Sequence, residues 1–502
     1  MTNKRGSEWR IWDLHIHTPF SIKQKYNNTP EGWEKFINAL ENLPKDVKVI
    51  GITDYYFIDG YEKVMNFKLN GRLNNIEKIF PILEFRIDTF GTASESSLQK
   101  INLHILFDVD ETKLTEQINK IRTEFIGQIP ITKLERHKTK MLSIENLTSE
   151  SNGDLHNGFA NLIPCTEKVF DLLNSSEWKG KTFLFLGYKE WSNLEKNQQL
   201  RPFKEDLYSK VNAFFSNNSQ TNGNNQNWLN EYGNKKLLHS LDIHGFDLID
   251  TYEFDESGNY IPCKNYHCHT WIKAEPTFEG LKQIIYEPEQ RVKIQNHRPD
   301  FKEDKLIIDS VKYISNDNLF NSETIFFNKN LNVIIGGKSS GKSILLYNIA
   351  KTLETSNEVT KITSVNDKDK YNFREKDKDF DFEVTTSSGA TKRLYDGQNS
   401  IITNIKYIPQ NYLSKLAEPN ENKKGNELLK YVRGLLLESP EHNEKYEEFL
   451  YNVRSNDKLR NDIIDNYFKI KEYINEKEKE LKELGNEEAL KRSIESNTQR
   501  IE

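Results

Sequence analysis

Over residues 1 to about 300, short apolar runs alternate with stretches of helical periodicity: KVIGITDYYF, KIFPILEF, INLHILFD, TFLFLGY and KLLHSLDIH. Such alternation predicts β/α units with parallel strands buried on both faces. The polar, Asn-rich stretch SNNSQTNGNNQN (216–227) reads as a surface loop. After the charged connector HRPDFKED (297–304), strands are expected around 306–314 and 324–328, then LNVIIGG runs into SSGKSILLYNIAK. The charge-dense segment NDKDKYNFREKDKDFD (366–381) reads as an exposed loop or hairpin tip. From about 440 the texture changes again. Ile463, Tyr467, Ile470, Ile474, Leu481 and Leu484 follow one another at steps of 4, 3, 4, 7 and 3 among Lys, Glu, Asn and Asp. That heptad seam predicts a coiled-coil arm, antiparallel or paired with a partner; a single solvated amphipathic helix is the plainer alternative. The expected divisions are 1–300, 301–438 and 439–502.

Composition narrows the class. The chain has 502 residues, with 70 Lys+Arg against 76 Asp+Glu, a net charge of −6. This excludes a uniformly basic nucleic-acid coat but leaves room for a local basic channel. Twenty-eight Phe and 22 Tyr are enough for sizeable cores and argue against wholesale disorder. Three cysteines make no disulfide framework, as expected in a reducing cytosol. No apolar stretch approaches the ~18 residues of a membrane span, so a soluble, cytoplasmic protein is expected.

The densest chemical signal is DLHIHTPFS at 13–21. In a strand, His15 and His17 point to one face and can share a divalent ion; the bland alternative is a pair of hydrogen-bonded histidines. Four further apolar strands each carry a ligand-type residue: Asp54 in VIGITDYYF, Glu84 in FPILEFRI, His104 in INLHILFD, and Asp242 with His244 in KLLHSLDIHGF. A buried carboxylate is costly unless it is paired or bound to metal, and a β/α barrel collects such residues at one rim. A rival cluster in CKNYHCHTW brings together Cys263, His267, Cys268 and His269, but structural zinc sites draw two pairs from separated segments, so these read as ordinary loop residues.

The order H-x-H, T-D, E, H, D-x-H resembles the PHP (polymerase and histidinol phosphatase) superfamily of metal-dependent phosphoesterases. The segment WIKAEPTFEGLKQIIYEPEQRV (271–292) further resembles the end of the PHP domain in TrlF-type proteins, where an ATPase follows. The resemblance implies a distorted (β/α)7 barrel and a cluster of Mn, Zn or Fe. By motif match, His15, His17, Glu84, His104, Asp242 and His244 are the implied ligands, with Glu84, Asp242 and Asp54 assigned to catalysis. Two departures stand out. Lys23 and Tyr55 occupy positions where the family often has His, and both are poor ligands for these metals, so one or two ions are expected rather than three. Either side chain is a candidate for contacting substrate phosphate instead. A further family His between His104 and Asp242 has only His137 and His156 as weak candidates.

The second constellation is GGKSSGKS at 336–343, which fits the P-loop pattern G-x-x-x-x-G-K-[ST], with an apolar strand expected at LNVII before it and a helix at ILLYNIAKTL after it. Gly336, Gly337, Lys338, Ser340 and Gly341 would wrap the phosphates of ATP, Lys342 would reach the β/γ-phosphates, and Ser343 would ligate Mg²⁺. IKYIPQNYLSKL (405–416) reads as a strand ending at Gln410, similar to the Q-loop of ABC ATPases of the SMC/RecF class. A signature motif, a Walker B strand and a switch His do not appear between 344 and 502. A separate polypeptide or a longer parent would supply them, and little ATP hydrolysis is expected from this chain alone. The expected fold is therefore α/β: a distorted (β/α)7 barrel, the N-terminal half of an ABC/SMC-like P-loop head, and a coiled-coil helix. The expected function is a nuclease under control of the ATP-binding module, of the layout that resembles bacterial anti-phage defence effectors, with nucleic acid as substrate and a tendency to self-associate. Lys23, Lys25, Tyr26, Tyr55 and Tyr56 suit single-strand stacking and phosphate contact, or are an ordinary solvated rim. The alternatives are a small-molecule phosphomonoesterase and a non-catalytic metal-binding sensor.

Overall fold

The computed structural model describes residues 5–90, 100–132, 139–196, 201–218, 221–246, 253–254, 260–261, 268–299, 303–316, 320–354, 371–397, 399–402, 405–409, 412, 427–437 and 439–501. They group into two units, the first comprising Met1–Ser340, Thr352–Thr355 and Asn372–Thr403, the second Gly341–Lys351, Ser356–Tyr371 and Asn404–Glu502.

The first unit is built on a nine-stranded mixed sheet. Its strands are β1 (Glu8–Ile16), β2 (Val47–Tyr55), β3 (Lys78–Phe90), β4 (Lys100–Phe107), β5 (Thr182–Gly187), β6 (Ala213–Ser216), β7 (Leu237–His239), β8 (His269–Ala274) and β9 (Val292–Gln295), in the order β9-β8-β1-β2-β3-β4-β5-β6-β7. After β7 the chain returns to β1. His17 N donates to Ile243 O at 2.9 Å and Ile243 N donates to His15 O at 3.1 Å, which nearly closes the sheet into a barrel. The helices of this unit include α1 (Pro30–Glu41), α2 (Asp59–Leu69), α3 (Tyr188–Ser192), α4 (Asn222–Asn230) and α5 (Phe278–Tyr286).

Strand periodicity sorts the core into two layers. Trp12, Leu14, Val49, Phe80, Ile82, Leu106, Phe183, Phe185, Phe215, Leu238 and Ile272 fill the inside together with Phe278, Leu281 and Ile284 of α5. Ile11, Ile16, Ile50 and Ile52 belong to the outer layer, where α1 contributes Trp33, Phe36, Ile37 and Leu40. Those four fall at i, i+3, i+4 and i+7, one helical face. α1 starts where Thr29 accepts from Gly32 N and Pro30 fits the first turn.

Three expectations need correcting here. The sheet is not all parallel: β4 runs antiparallel to β3 and β5, and β8 to β1 and β9. Only residues 91–99 separate β3 from β4, fewer than the dozen or so that a parallel crossover needs. The Asn-rich stretch 216–227 is not simply a loop, because Asn222–Asn230 is helical. Leu229 is fully buried there, while the Gln226 side chain accepts from Leu237 N and donates to Lys235 O. Nor is the end of 366–381 an exposed tip: Phe380 packs against Phe373, Phe320 and Tyr313.

The same unit holds a four-stranded antiparallel sheet, β10 (Ile308–Ile314), β11 (Ile325–Phe326), β12 (Asp381–Thr386) and β13 (Thr391–Arg393), in the order β11-β10-β12-β13. Arg5 bonds Asp309 at 2.8 Å, and Asn328 donates to the carbonyls of Arg5 and Ser7. The expected strands near 306–314 and 324–328 are therefore present. The one expected at LNVII is not. Residues 331–335 join no β-ladder among the described residues, and Leu331, Val333 and Ile335 are 84%, 74% and 86% exposed. The segment 405–409 forms no strand either.

The division between units falls inside GGKSSGKS, between Ser340 and Gly341. Ser339 and Gly341 have φ of +65° and +89°, and α6 (Lys342–Leu353) begins at the P-loop lysine. In the second unit, Tyr347 and Ala350 of α6 pack with Tyr371, Ile405 and Tyr407. α7 (Pro440–Ile501) is a single helix of 62 residues, and the seam residues Ile463, Tyr467, Ile470, Ile474 and Leu481 are all exposed on it. Gln410, His137, Cys263 and His267 lie outside the described residues.

Candidate metal centre

The centre begins with an irregularity in β1. Trp12 lies opposite Val49 and Asp13 opposite Ile50, but the next pair is Ile16 with Ile52, so β1 spends one residue more than β2. This is a β-bulge, which re-aims side chains. Leu14 still points to the inner layer, Ile16 to the outer, and His15 and His17 on either side of Ile16 converge on Glu84. The bulge keeps its polar groups satisfied. Asp13 Oδ1 accepts from His15 N at 3.4 Å, and Thr53 Oγ1 donates to Leu14 O at 3.0 Å.

Glu84 and His104 face each other across the β3/β4 ladder. Glu84 Oε2 lies 3.1 Å from His15 Nε2, 3.4 Å from His17 Nε2 and 3.5 Å from His104 Nε2. Asp242 Oδ1 lies 3.2 Å from His15 Nε2, 3.7 Å from His17 Nε2 and 3.1 Å from His244 Nε2. Asp242 and His244 do not sit on a strand, as the sequence pattern had implied. β7 ends at His239, and Asp242 occupies the left-handed region with φ +52°. Aspartate is among the residues that tolerate that region.

Two groups have their donor atoms within 4.8 Å of one another: His15, His17 and Glu84, and His17, Asp242 and His244. The groups share His17 and hold five of the six implied ligands; the sixth, His104, is in neither group but has its Nε2 3.5 Å from Glu84 Oε2. The donor set of imidazole nitrogens and carboxylate oxygens suits divalent transition ions. The buried Nε2 of His17 and both ring nitrogens of His104 make no hydrogen bond, which fits atoms reserved for a ligand. The outer contacts have the right polarity. Ser21 Oγ meets His17 Nδ1 at 3.1 Å, and the Lys23 carbonyl meets His244 Nδ1 at 3.0 Å, so each ring presents Nε2 to the centre.

Electrostatics points the same way. Burial pushes the Glu84 pKa up, but His104, His15 and His17 outweigh it and hold the carboxyl well below the usual range. Burial likewise opposes ionisation of Asp242, and His15, His17 and His244 overcome it. Burial alone would lower His17; the neighbouring carboxylates of Asp242 and Glu84 instead lift it to about 9. The two carboxylates form a nest for positive charge.

Asp54 is placed differently. Its Oδ1 accepts from Thr18 N at 2.9 Å and its Oδ2 from Thr18 Oγ1 at 2.7 Å. The catalytic role assigned to Asp54 is therefore not matched by its contacts: both oxygens are committed to the loop after β1, and the residue is in neither metal-binding group. Gly60 at the start of α2 makes room for it, since a Cβ there would fall 1.9 Å from Asp54 Oδ2. Tyr55 stacks on His17 at 4.8 Å instead of ligating, and the Lys23 side chain is exposed. His156 is exposed and belongs to neither group. Cys268 and His269 are buried on the barrel and join no metal-binding group among the described residues.

Three residues had not been singled out from the sequence. Asp13 braces the bulge, and burial raises its pKa to about 7. Arg86 lies on β3 two residues beyond Glu84, with its guanidinium 4.1 Å from the Phe159 ring and 5.4 Å from that of Tyr55. Same-face spacing from Glu84 was the available signal for Arg86. Glu190, in α3, lines a cavity of about 510 Å³ that opens on His15, His104 and Asp242.

No protein-family model matches the chain, and a search of curated proteins finds no match. At the level of class, the chain is a mixed α/β protein whose nearly closed barrel carries a His/Asp/Glu cluster able to hold a metal ion. No described helix is long and apolar enough to cross a membrane.

Proposed function

We propose that the chain is a divalent-metal-dependent phosphodiesterase, a nuclease of the PHP type on a distorted (β/α)7-type barrel, joined to half of an SMC-like ATP-binding head. The observation that carries this reading is the convergence of His15, His17, His104, His244, Glu84 and Asp242 within one barrel end. These residues would hold one or two Mn, Zn or Fe ions, which supply Lewis acidity toward phosphate oxygens and lower the pKa of water. The chain's own residues do the rest. Ser21 and the Lys23 carbonyl fix the imidazoles, the Asp54–Thr18 lock holds the loop that follows His17, and Tyr55 covers one side of His17. Arg86, steadied by Phe159, supplies a fixed cation for a substrate phosphate.

The GGKSSGKS motif supports ATP·Mg binding, and the SMC-like layout supports a partner that completes the head. On this reading the exposed seam of α7 pairs with a second arm, and the assembly serves cytoplasmic surveillance of nucleic acid. The test is cleavage of labelled single- and double-stranded DNA and RNA in Mn²⁺, with and without ATP, using Asp242→Asn as control. Cleavage abolished by the substitution is the expected result. Stoichiometric metal without turnover of any phosphoester would refute the nuclease reading and leave a metal-binding sensor.

A further inference from the structure

The cavity of about 510 Å³ beside the centre is the size of a site for one small group. Its walls are mostly neutral. Asn102, Ser216, Asn217, Asn218, Thr221 and Asn225 offer amides and hydroxyls, and Lys189 is the one cation among the described lining residues, set against Glu190 and Asp242. A polyanionic strand is drawn in by rows of Lys and Arg; this lining suits an uncharged group with many hydrogen-bonding atoms.

Glu190 enters the cavity because of a glycine. β5 ends at Gly187, and a Cβ at that position would lie 2.3 Å from Glu190 Oε2. The missing side chain leaves room that the carboxyl occupies, and both residues line the cavity beside His104. Burial raises the Glu190 pKa, and the negative charges of Glu84 and Asp242 add to it.

We infer that the cavity seats the uncharged leaving unit of the phosphoester, a nucleoside-type group, and that Glu190 gives this unit its proton as the ester bond breaks. The inference rests on the phosphoesterase reading of the adjoining centre. In the balanced step the oxygen of a water bonds to phosphorus and the P–O bond to the leaving unit breaks. The leaving oxygen takes the Glu190 proton, and the proton shed by the water returns to Glu190 through solvent. No electron is transferred, and one water is consumed per bond broken.

The experiment compares Glu190→Gln with the wild type, both loaded with Mn²⁺, on three esters. They are a dinucleoside monophosphate, the same compound with a terminal phosphate on its leaving side, and a p-nitrophenyl ester of the same nucleotide. A nitrophenolate leaves without a proton, so kcat on that ester should change less than about threefold, while kcat on the dinucleoside falls about 100-fold. Bound Mn²⁺ should be unchanged, and the alkaline limb of the pH–rate profile for the dinucleoside should disappear. Gly187→Ala, which displaces the carboxyl, should reproduce the selective loss. Equal losses on the dinucleoside and nitrophenyl esters, or loss of a metal equivalent, would overturn the proton-donor role. Equal wild-type rates with and without the terminal phosphate would overturn the neutral seat. A wild-type protein that cleaves none of the three would instead sink the phosphoesterase reading and this inference with it.

Discussion

Asp54 offers a sharp test of how the centre is built, because sequence order makes it a catalytic candidate and geometry makes it a lock. Its two oxygens accept from Thr18 N and Thr18 Oγ1 at 2.9 and 2.7 Å, and Thr18 directly follows His17. In Asp54→Asn one acceptor survives and the other becomes an amide that cannot accept. A hydrogen bond to a buried charged group contributes about 1.5–3 kcal/mol, so losing one costs about 2 kcal/mol. Relief of the burial that raises the Asp54 pKa returns part of this. The net destabilisation expected is therefore about 1–2 kcal/mol, read from urea unfolding. Thr18→Val should cost a similar amount, and the double variant should fall short of the sum by about 1 kcal/mol, because both changes break the same bond. Metal stoichiometry, measured by atomic absorption, should stay at the wild-type value in Asp54→Asn and fall in Asp242→Asn. A metal equivalent lost from Asp54→Asn with an unchanged unfolding midpoint would show that Asp54 is a ligand and that the lock is mistaken.

Two further outcomes concern groups around the barrel. Thr53→Val removes the donor that satisfies the bulge carbonyl of Leu14, and should weaken Mn²⁺ binding about tenfold by loosening the aim of His15 and His17; unchanged affinity in equilibrium dialysis would mean the bulge holds without it. His239 and His269 are both held down to about 4 by burial, so the folded protein stays unprotonated where the unfolded chain takes up protons. Stability is thus full above the ordinary histidine value and declines as pH falls from about 6.5 toward 4, by up to about 3 kcal/mol per residue. The urea midpoint should drop over that window and drop less in His239→Gln; an identical pH slope in the variant would contradict the assignment.

Much of the barrel is legible in the sequence because its strands are short apolar runs interrupted by a residue with no business in a core. Glu84 and His104 stand out for that reason, and they do face each other across a ladder. The direction of β4 is hidden, since chain reversal depends on the short span 91–99 rather than on any strand pattern. His15 and His17 share a face as their spacing says, but which face is decided by a bulge, and DLHIHT reads as unbroken alternation. α4 misleads by composition: its asparagines read as loop, while Leu229 and Gln226 tie it to the sheet. Glu190 has no local signature at all. Its place depends on a glycine three residues earlier at the end of a strand.

FPILE and LNVII mark the point where apolar pattern and structure part. Both are five-residue stretches with four apolar residues and one polar, and on pattern alone both are buried strands. In FPILE, Phe80, Ile82 and Glu84 pair on one side with β2, Ile82 and Glu84 pair on the other with β4, and every residue of the run is buried. LNVII has no ladder among the described residues, and its alternate side chains Leu331, Val333 and Ile335 lie open to solvent. Apolar pattern records a strand's tendency, whereas burial needs neighbours on both edges and a layer on each face. The metal centre meets that condition because β1, β3, β4 and the return after β7 brace one another around Glu84. On the proposed reading, a nucleotide site at GGKSSGKS would need LNVII to gain the same support on its edges and faces.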